Sequence, residues 1–334
     1  DYLSSSCTLD LIDEGRILNI VNTSDVDALK QLNTDDGKEP LIFRGPWSNV
    51  AMFLNQIITS ESSESTNFGT FEWHKFYAAF FNLEAKANEQ YKEARERYNC
   101  VEENAAIATT DSRKPVVLWA YYSTYSNGWD AAECPNYYCE YAQACSADIL
   151  DSTGKGGSVG DPGYNLFNLT EILEFGKDAD IWIYPSKDWN DIYAANKEVL
   201  DQFKSVQNQN VFDYLGSGED AWWGERRAEA DVLLQDFCSV VGTYGTKSAY
   251  HQKKFLRNVF TDMEGAPKPC EDTSAPLLPQ STTCVRSDTP DITTAAPTAA
   301  PDDSSAPDDS SAFKVGSSVI AVFALTLSLL SLSM

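Results

Sequence analysis

The 334-residue chain has only two histidines, His74 and His251, and 25 basic residues against 50 acidic ones. So few histidines exclude a histidine-rich metal centre, and the lack of any CxxC pair excludes the common zinc spacings. No Ser-His-Asp or Cys-His arrangement is legible, because each histidine lies in helix-like sequence beside lysine. "GKGGS" (154–158) and "GTYGTKS" (242–248) are glycine-rich, but neither is GxxxxGK(S/T), so both read as loops. Glu171 and Glu174 are three apart on one short helix and read as a solvated face, not an acid/base pair. An enzyme, a metal site and a cofactor are therefore not expected. The formal charge of −25 excludes nucleic acid and anionic membranes as partners. It also argues against small polyanionic ligands, which call for clustered Arg and Lys.

A long apolar run is missing as well. Residues 319–334 are apolar but short, interrupted by Ser and Thr, and followed by no charge. A spanning helix wants about 20 apolar residues with basic flanks. Upstream, "SDTPDITTAAPTAAPDDSSAPDDSSA" (287–312) cannot bury a core and reads as an extended stalk. Small residues, a polar spacer and a terminal apolar tail match a GPI-attachment signal over 313–334, with Ser304, Ser305, Ser310 and Ser311 as acceptors. A single C-terminal span is the alternative. Either would hold the folded part at the outer face of the plasma membrane. The chain opens at Asp1 without a signal peptide, which reads as a trimmed start or a fragment.

The eight cysteines are present in even number and irregular spacing, which favours disulfides in an oxidising compartment. Cys134, Cys139 and Cys145 are close enough for local bridges, and Cys270 and Cys284 could close a loop in the stalk. Sequons at Asn22 and Asn168 are compatible with secretion.

Along the body, "GRILNIV" (15–21) and "EPLIFRG" (39–45) read as strands, and "TSDVDALKQL" (23–32) as a capped helix. Residues 71–99 carry aromatic and small residues at helical spacing, as one helix or as two broken near Asn82. From 114 the pattern alternates between strand and helix. Strands are expected at 114–122, 179–185 and 209–216, with helices at 134–150, 169–176, 194–206 and 224–241. That is an α/β arrangement with a mostly parallel, covered sheet.

The stretch Trp119 to Cys145 holds eight aromatic side chains and no lysine or arginine. It begins where a strand ends, which is the ligand edge of an open α/β sheet. "YPSKDW" (184–189) and "GSGEDAWWGE" (216–225) follow later strands in the same way. Trp119, Tyr121, Tyr122, Tyr125, Trp129, Trp189, Trp222 and Trp223, with Glu225, are therefore the candidate ligand residues. Rings concentrated at one sheet edge fit a bulky, flat or macrocyclic ligand.

Several of these pieces, in this order, resemble the bacterial substrate-binding proteins of cobalamin and ferric-siderophore uptake. "FEWHKFYAAFFNLEAKANEQYKEARERY" is similar to the segment that leads into their linking helix. "KPVVLWA", "NLTEILEFGKDADIWIYP", "AWWGERRAEADVLLQDF" and "YHQKKFLRNVF" resemble successive units of their second lobe. The match runs over about 71–260. Together with the tail, it resembles the algal cobalamin-acquisition proteins, with diatom ferrichrome-binding proteins as near relatives. The resemblance implies two α/β lobes: a short first lobe over 1–70, a single long linking helix over 71–99, a second lobe over 114–260 and a stalk over 261–312. It implies capture of cobalamin, or alternatively of a ferric hydroxamate siderophore, for delivery to an uptake transporter. It also implies that Glu171 docks onto that transporter. Both ligands are near neutral, and the rings suit a flat corrin face, which puts cobalamin first.

Overall fold

A computed structural model describes residues 5–15, 42–45, 55–110, 113–156, 158–159, 163–245, 251–273, 283–287 and 322–324. The chain is an α/β protein divided into two compact units. One comprises Asp1–Glu14 and Ser60–Ser287, the other Gly15–Thr59 and Asp288–Met334. The elements expected at 15–21 and 23–32, and Asn22, lie outside the described residues.

In the larger unit, α1 is Ser6–Asp13. In the smaller unit, β1 (Ile42–Arg44) pairs in parallel with β2 (Gln56–Ile58) and with Val322–Ala324. The strand expected at 39–45 is thus β1, and three residues of the apolar tail pair beside it. The rest of the tail lies outside the described residues.

The larger unit continues with α2 (Asn67–Ala79) and α3 (Glu84–Ala108). Of the two readings of 71–99, two helices broken near Asn82 is the one observed, and the single long linking helix is not. Asn82 breaks them with φ 55°, a left-handed conformation that asparagine tolerates. His74 braces the elbow, its ring nitrogens lying 2.6 Å from the Phe71 carbonyl and 2.8 Å from that of Ala87.

The sheet begins with β3 (Val116–Ser123) and β4 (Gly128–Ala132). It is completed by β5 (Asp148–Ile149), β6 (Ser158–Val159), β7 (Tyr164–Phe167), β8 (Ile181–Ile183), β9 (Val211–Asp213) and β10 (Arg257–Asn258). The order is β10-β9-β8-β3-β4-β7-β6, with β5 beside the start of β3. β5, β3, β8 and β9 are joined by parallel pairs, and β4, β7, β6 and β10 join through antiparallel pairs. The mostly parallel sheet expected from the sequence is therefore half antiparallel. The cause is a tight hairpin: Ser123 pairs with Gly128, and Asn127 takes φ 51° between them. Gly128 is needed there, because a Cβ would stand 2.7 Å from Leu166.

Helices cover both faces. α4 (Tyr137–Ala144) and α9 (Ala230–Val241) lie on one side. α5 (Leu169–Gly176), α6 (Trp189–Leu200) and α7 (Lys204–Gln207) lie on the other. α8 (Glu219–Gly224) and a 3-10 turn (Arg226–Ala228) precede α9. β3 alternates between the layers: Val117 and Trp119 face the α4/α9 side, Leu118 and Ala120 the opposite one. Burial on both faces is why "VVLWA" reads as an unbroken apolar run.

Four disulfides staple the larger unit: Cys7–Cys270, Cys100–Cys284, Cys134–Cys139 and Cys145–Cys238. The local bridge near 134 is present, but Cys145 reaches α9 instead of a near neighbour. The Cys270–Cys284 loop does not form, because Cys270 bonds α1 and Cys284 bonds α3. The chain up to Ser287 thus belongs to the folded unit, and a stalk cannot begin at 261 as expected. Non-reducing peptide mapping should recover these four pairs. A peptide linking Cys270 to Cys284 would overturn this arrangement.

Candidate functional site

The carboxyl ends of β3, β8 and β9 open into a cavity of about 460 Å³. Tyr121 projects from β3, Pro185 and Ser186 follow β8, and Tyr214 follows β9. One wall is Tyr137, Tyr138 and Tyr141 of α4 with Tyr164 of β7; the other is Trp222 and Trp223 of α8. Asn67 and Thr70 of α2, with Glu61 and Glu64, close the rim. Tyr214 stacks on Trp222 at 5.6 Å between centroids, and Tyr121 meets Tyr164 edge-on at 5.5 Å. Such contacts hold the rings in place before any ligand arrives.

Two guanidiniums also face this space, Arg226 and Arg227. Arg226 lies 4.4 Å over the Tyr137 ring and 5.0 Å from that of Trp222, and its Nε is buried without a hydrogen-bond partner. Burial, reinforced by the Arg226 charge, draws the Arg227 pKa below its ordinary value. The rim acids each accept a hydrogen bond from a neutral donor, and Glu61 also attracts Arg227. Glu61 accepts from the Tyr77 hydroxyl at 3.3 Å, and Glu64 accepts from Trp73 Nε1 at 3.0 Å. The cavity therefore offers aromatic faces, two guanidiniums and, at its rim, two carboxylates, a combination suited to an unsaturated ligand that accepts hydrogen bonds from the arginines.

The structure sorts the expected ligand residues unevenly. Trp222 and Trp223 line the cavity, and Tyr121 joins them. Trp119 is buried beneath it, its Nε1 donating to the Tyr164 hydroxyl at 3.3 Å. Tyr122 and Trp129 contact each other on the opposite face of the sheet. Trp129 is not in a loop past a strand but inside β4, and it is a core residue. Trp189 opens α6 and is also core, packed edge-on against Trp182 and Tyr184. Tyr125 sits at the hairpin tip, 80% exposed and away from the cavity. Glu225 points away too, bonding Lys254 at 2.5 Å.

Sequence reasoning passed over the α4 tyrosines and the arginine pair. The signals were present. Tyr137 and Tyr141 are four apart on a helix, hence on one face, and "ERR" directly follows "AWWG". Strand alternation also separates Trp119 and Tyr121 from Tyr122.

Glu171 and Asn168 form a capping box at the start of α5. Asn168 Oδ1 accepts from the amides of Thr170 and Glu171, while Glu171 Oε2 accepts from the Asn168 amide at 2.8 Å. Both residues are exposed.

Behind the arginine turn lies a buried ion cluster. Lys254 Nζ donates to Glu225 Oε2 at 2.5 Å and to Glu229 Oε2 at 2.7 Å. Burial pushes Glu229 up to about 7, outweighing the pull of Lys254. The folded chain thus holds this proton more tightly than the unfolded one. The resulting stability is full below about pH 4.5 and is lost as pH rises through about 7. Chemical denaturation across this range should show wild type losing on the order of 1–3 kcal/mol relative to Glu229→Gln. Parallel pH profiles for the two would contradict the assignment. A second test concerns the core rings: Trp129→Ala and Trp189→Ala should each cost about 3–5 kcal/mol of folding stability. Thermal melts equal to wild type would remove them from the core.

No protein-family model matches the chain. An uncharacterized lipoprotein of Methanocaldococcus jannaschii is 25% identical over 197 residues, covering 56% of this chain. The matched region covers 42% of that relative's length. Among solved structures, FhuD2 from Staphylococcus aureus with bound ferrioxamine B is 11% identical, with a TM-score of 0.49, covering 71% of this chain and 88% of that one. A FhuD fold-family periplasmic binding protein of a Fep/Fec-like ferrichrome ABC transporter from Bacillus subtilis is 12% identical, with a TM-score of 0.47, covering 67% and 80%.

Proposed function

We propose that this protein is a solute-binding protein that captures a small molecule in the aromatic cavity and hands it to an uptake transporter. The observation that carries this reading is the cavity itself. It lies at the carboxyl ends of three parallel strands, where open α/β sheets bind ligands. It is walled by rings and carries the guanidiniums of Arg226 and Arg227.

Cobalamin is the first reading of the ligand. Its corrin face suits the tyrosine and tryptophan walls, and its phosphodiester suits Arg226 and Arg227. A ferric hydroxamate siderophore is the second, favoured by the same arginines, which can donate to hydroxamate oxygens. The net charge of the chain does not rule out a ligand with anionic oxygens, because Arg226 and Arg227 line this cavity. Net charge is summed over the chain, whereas a ligand meets the local field.

Delivery belongs to the same reading. Exposed Glu171 is the proposed docking residue, and residues 313–334 the proposed membrane attachment, lipid-linked or spanning. Glu171→Gln keeps an acceptor for the capping box while removing the charge. It should leave ligand affinity unchanged and slow uptake in cells. Unchanged uptake would place docking elsewhere.

Calorimetric titration of the full chain with cyanocobalamin and with a ferric trihydroxamate tests the ligand. Trp223→Ala and Arg226→Ala should each weaken the true ligand by about tenfold or more, roughly the contact energy of one desolvated ring or charged hydrogen bond. Trp129→Ala should leave the affinity of the folded fraction near wild type. Equal affinities in all variants would move the ligand out of this cavity.

A further inference from the structure

We propose that Lys254 is the positioning residue of the arginine pair, and that it acts by occupying the two carboxylates that would otherwise capture Arg226 and Arg227. This rests on the reading of the aromatic cavity as the ligand site. The turn carrying the arginines is flanked by acids in sequence, "ERRAE" from Glu225 to Glu229. Left to themselves, neighbouring carboxylates and guanidiniums form bidentate pairs. Here they do not. The arginines face the aromatic cavity, while Glu225, Ala228 and Glu229 line a second cavity of about 520 Å³ behind the turn. One short segment is thus a wall common to two cavities, with its cations on one side and its anions on the other.

Lys254 is what separates them. Its Nζ lies within hydrogen-bond distance of both acids, at 2.5 and 2.7 Å. It is itself immobilised, because its backbone amide donates to Asp236 at 3.0 Å and its carbonyl accepts from Ser217 Oγ at 2.8 Å. The lysine is 8% exposed, so this pairing is little weakened by solvent. The nearby Asp231 is likewise committed, to Arg97 Nε at 2.6 Å. With every acid behind the turn engaged, the guanidiniums stay on the cavity side, where Glu61 of the rim attracts Arg227 and the Arg226 Nε is left for a ligand.

The test compares full-length variants by titration with cyanocobalamin and a ferric trihydroxamate, with melting curves to establish folding. Lys254→Met should lower affinity about tenfold or more. The triple variant Lys254→Met/Glu225→Gln/Glu229→Gln removes the competing carboxylates and should recover affinity to within about threefold of wild type. A lysine needed only for packing would not be rescued this way. If Lys254→Met does not fold, the triple variant decides alone: near-wild-type affinity supports the proposal, and a tenfold loss overturns it. A folded Lys254→Met that binds like wild type also overturns it. A ligand-independent readout is the rate at which phenylglyoxal modifies Arg226 and Arg227, followed by mass spectrometry. Capture by the glutamates should slow that reaction in Lys254→Met and not in the triple variant, and equal rates in all three would refute the mechanism. If neither probe binds wild type, or if Arg226→Ala binds as wild type does, it is the assignment of the ligand site that fails, and the reagent rates still judge Lys254.

Discussion

Asp236 is fully buried in α9, and its carboxylate gathers the backbone amides of Lys254, Phe255 and Leu256 at 2.6 to 3.1 Å. His251 Nε2 approaches the other side at 2.5 Å. A buried carboxylate is costly unless its lone pairs are filled, and here the backbone fills them. The same bonds fix the path of a segment that has no regular structure of its own. From that path follow the position of Lys254 behind the arginine turn and that of Phe255 beneath Trp222. Gly216 donates to the Phe255 carbonyl at 2.9 Å, so the exit from β9 is set by the same segment. A Cβ at Gly216 would meet the Lys254 carbonyl at 2.5 Å, which shows how closely the two strands of chain pass. One wall of the cavity therefore traces back to a single side chain.

Much of the fold was legible because its signals are periodic or local. α5 runs over Leu169–Gly176 as the sequence reads; the capping box of Asn168 and Glu171, read there as a sequon and a surface acid, emerged from the structure. β8 and β9 fall within their expected ranges, and β3 overruns its range by one residue, because strands buried on both faces leave unbroken apolar runs. The antiparallel half of the sheet was not legible for a physical reason. β4 is "GWDAA" and β7 is "YNLF", short strands whose pairing is fixed by a hairpin and by packing, not by any alternation of their own. The two long-range disulfides that tie down 270–284 were equally hidden, since spacing constrains only near neighbours.

The site was half legible. Position after a strand pointed to Trp222 and Trp223, and both line the cavity. It misplaced Trp129 and Trp189, which sit in core layers shaped by contacts distant in sequence. Aromatic richness alone does not distinguish a binding wall from a core, because both bury rings for the same hydrophobic reason. What distinguishes them here is the company they keep. Trp129 and Trp189 are enclosed by other rings and aliphatic side chains, whereas Trp222, equally buried against Trp119, Tyr214 and Phe255, also lies beneath a guanidinium. The acidic average of the chain hid that guanidinium from a reading based on totals.

Residues 283–287 are laid along α3. Cys284 bonds Cys100, Asn104 holds the Val285 carbonyl and the Ser287 amide, and Arg286 pairs with Glu103. This arrangement has a mechanical meaning. Any pull along the chain beyond Ser287 enters the larger unit at α3, through a covalent bond and a cluster of contacts within one helical turn. α3 can pass that load to its neighbour α9 without shearing β3, β8 and β9, whose ends frame the cavity. Tension arriving through Ser287 would therefore be borne by one helix and one covalent bond before it reached the strands that shape the pocket.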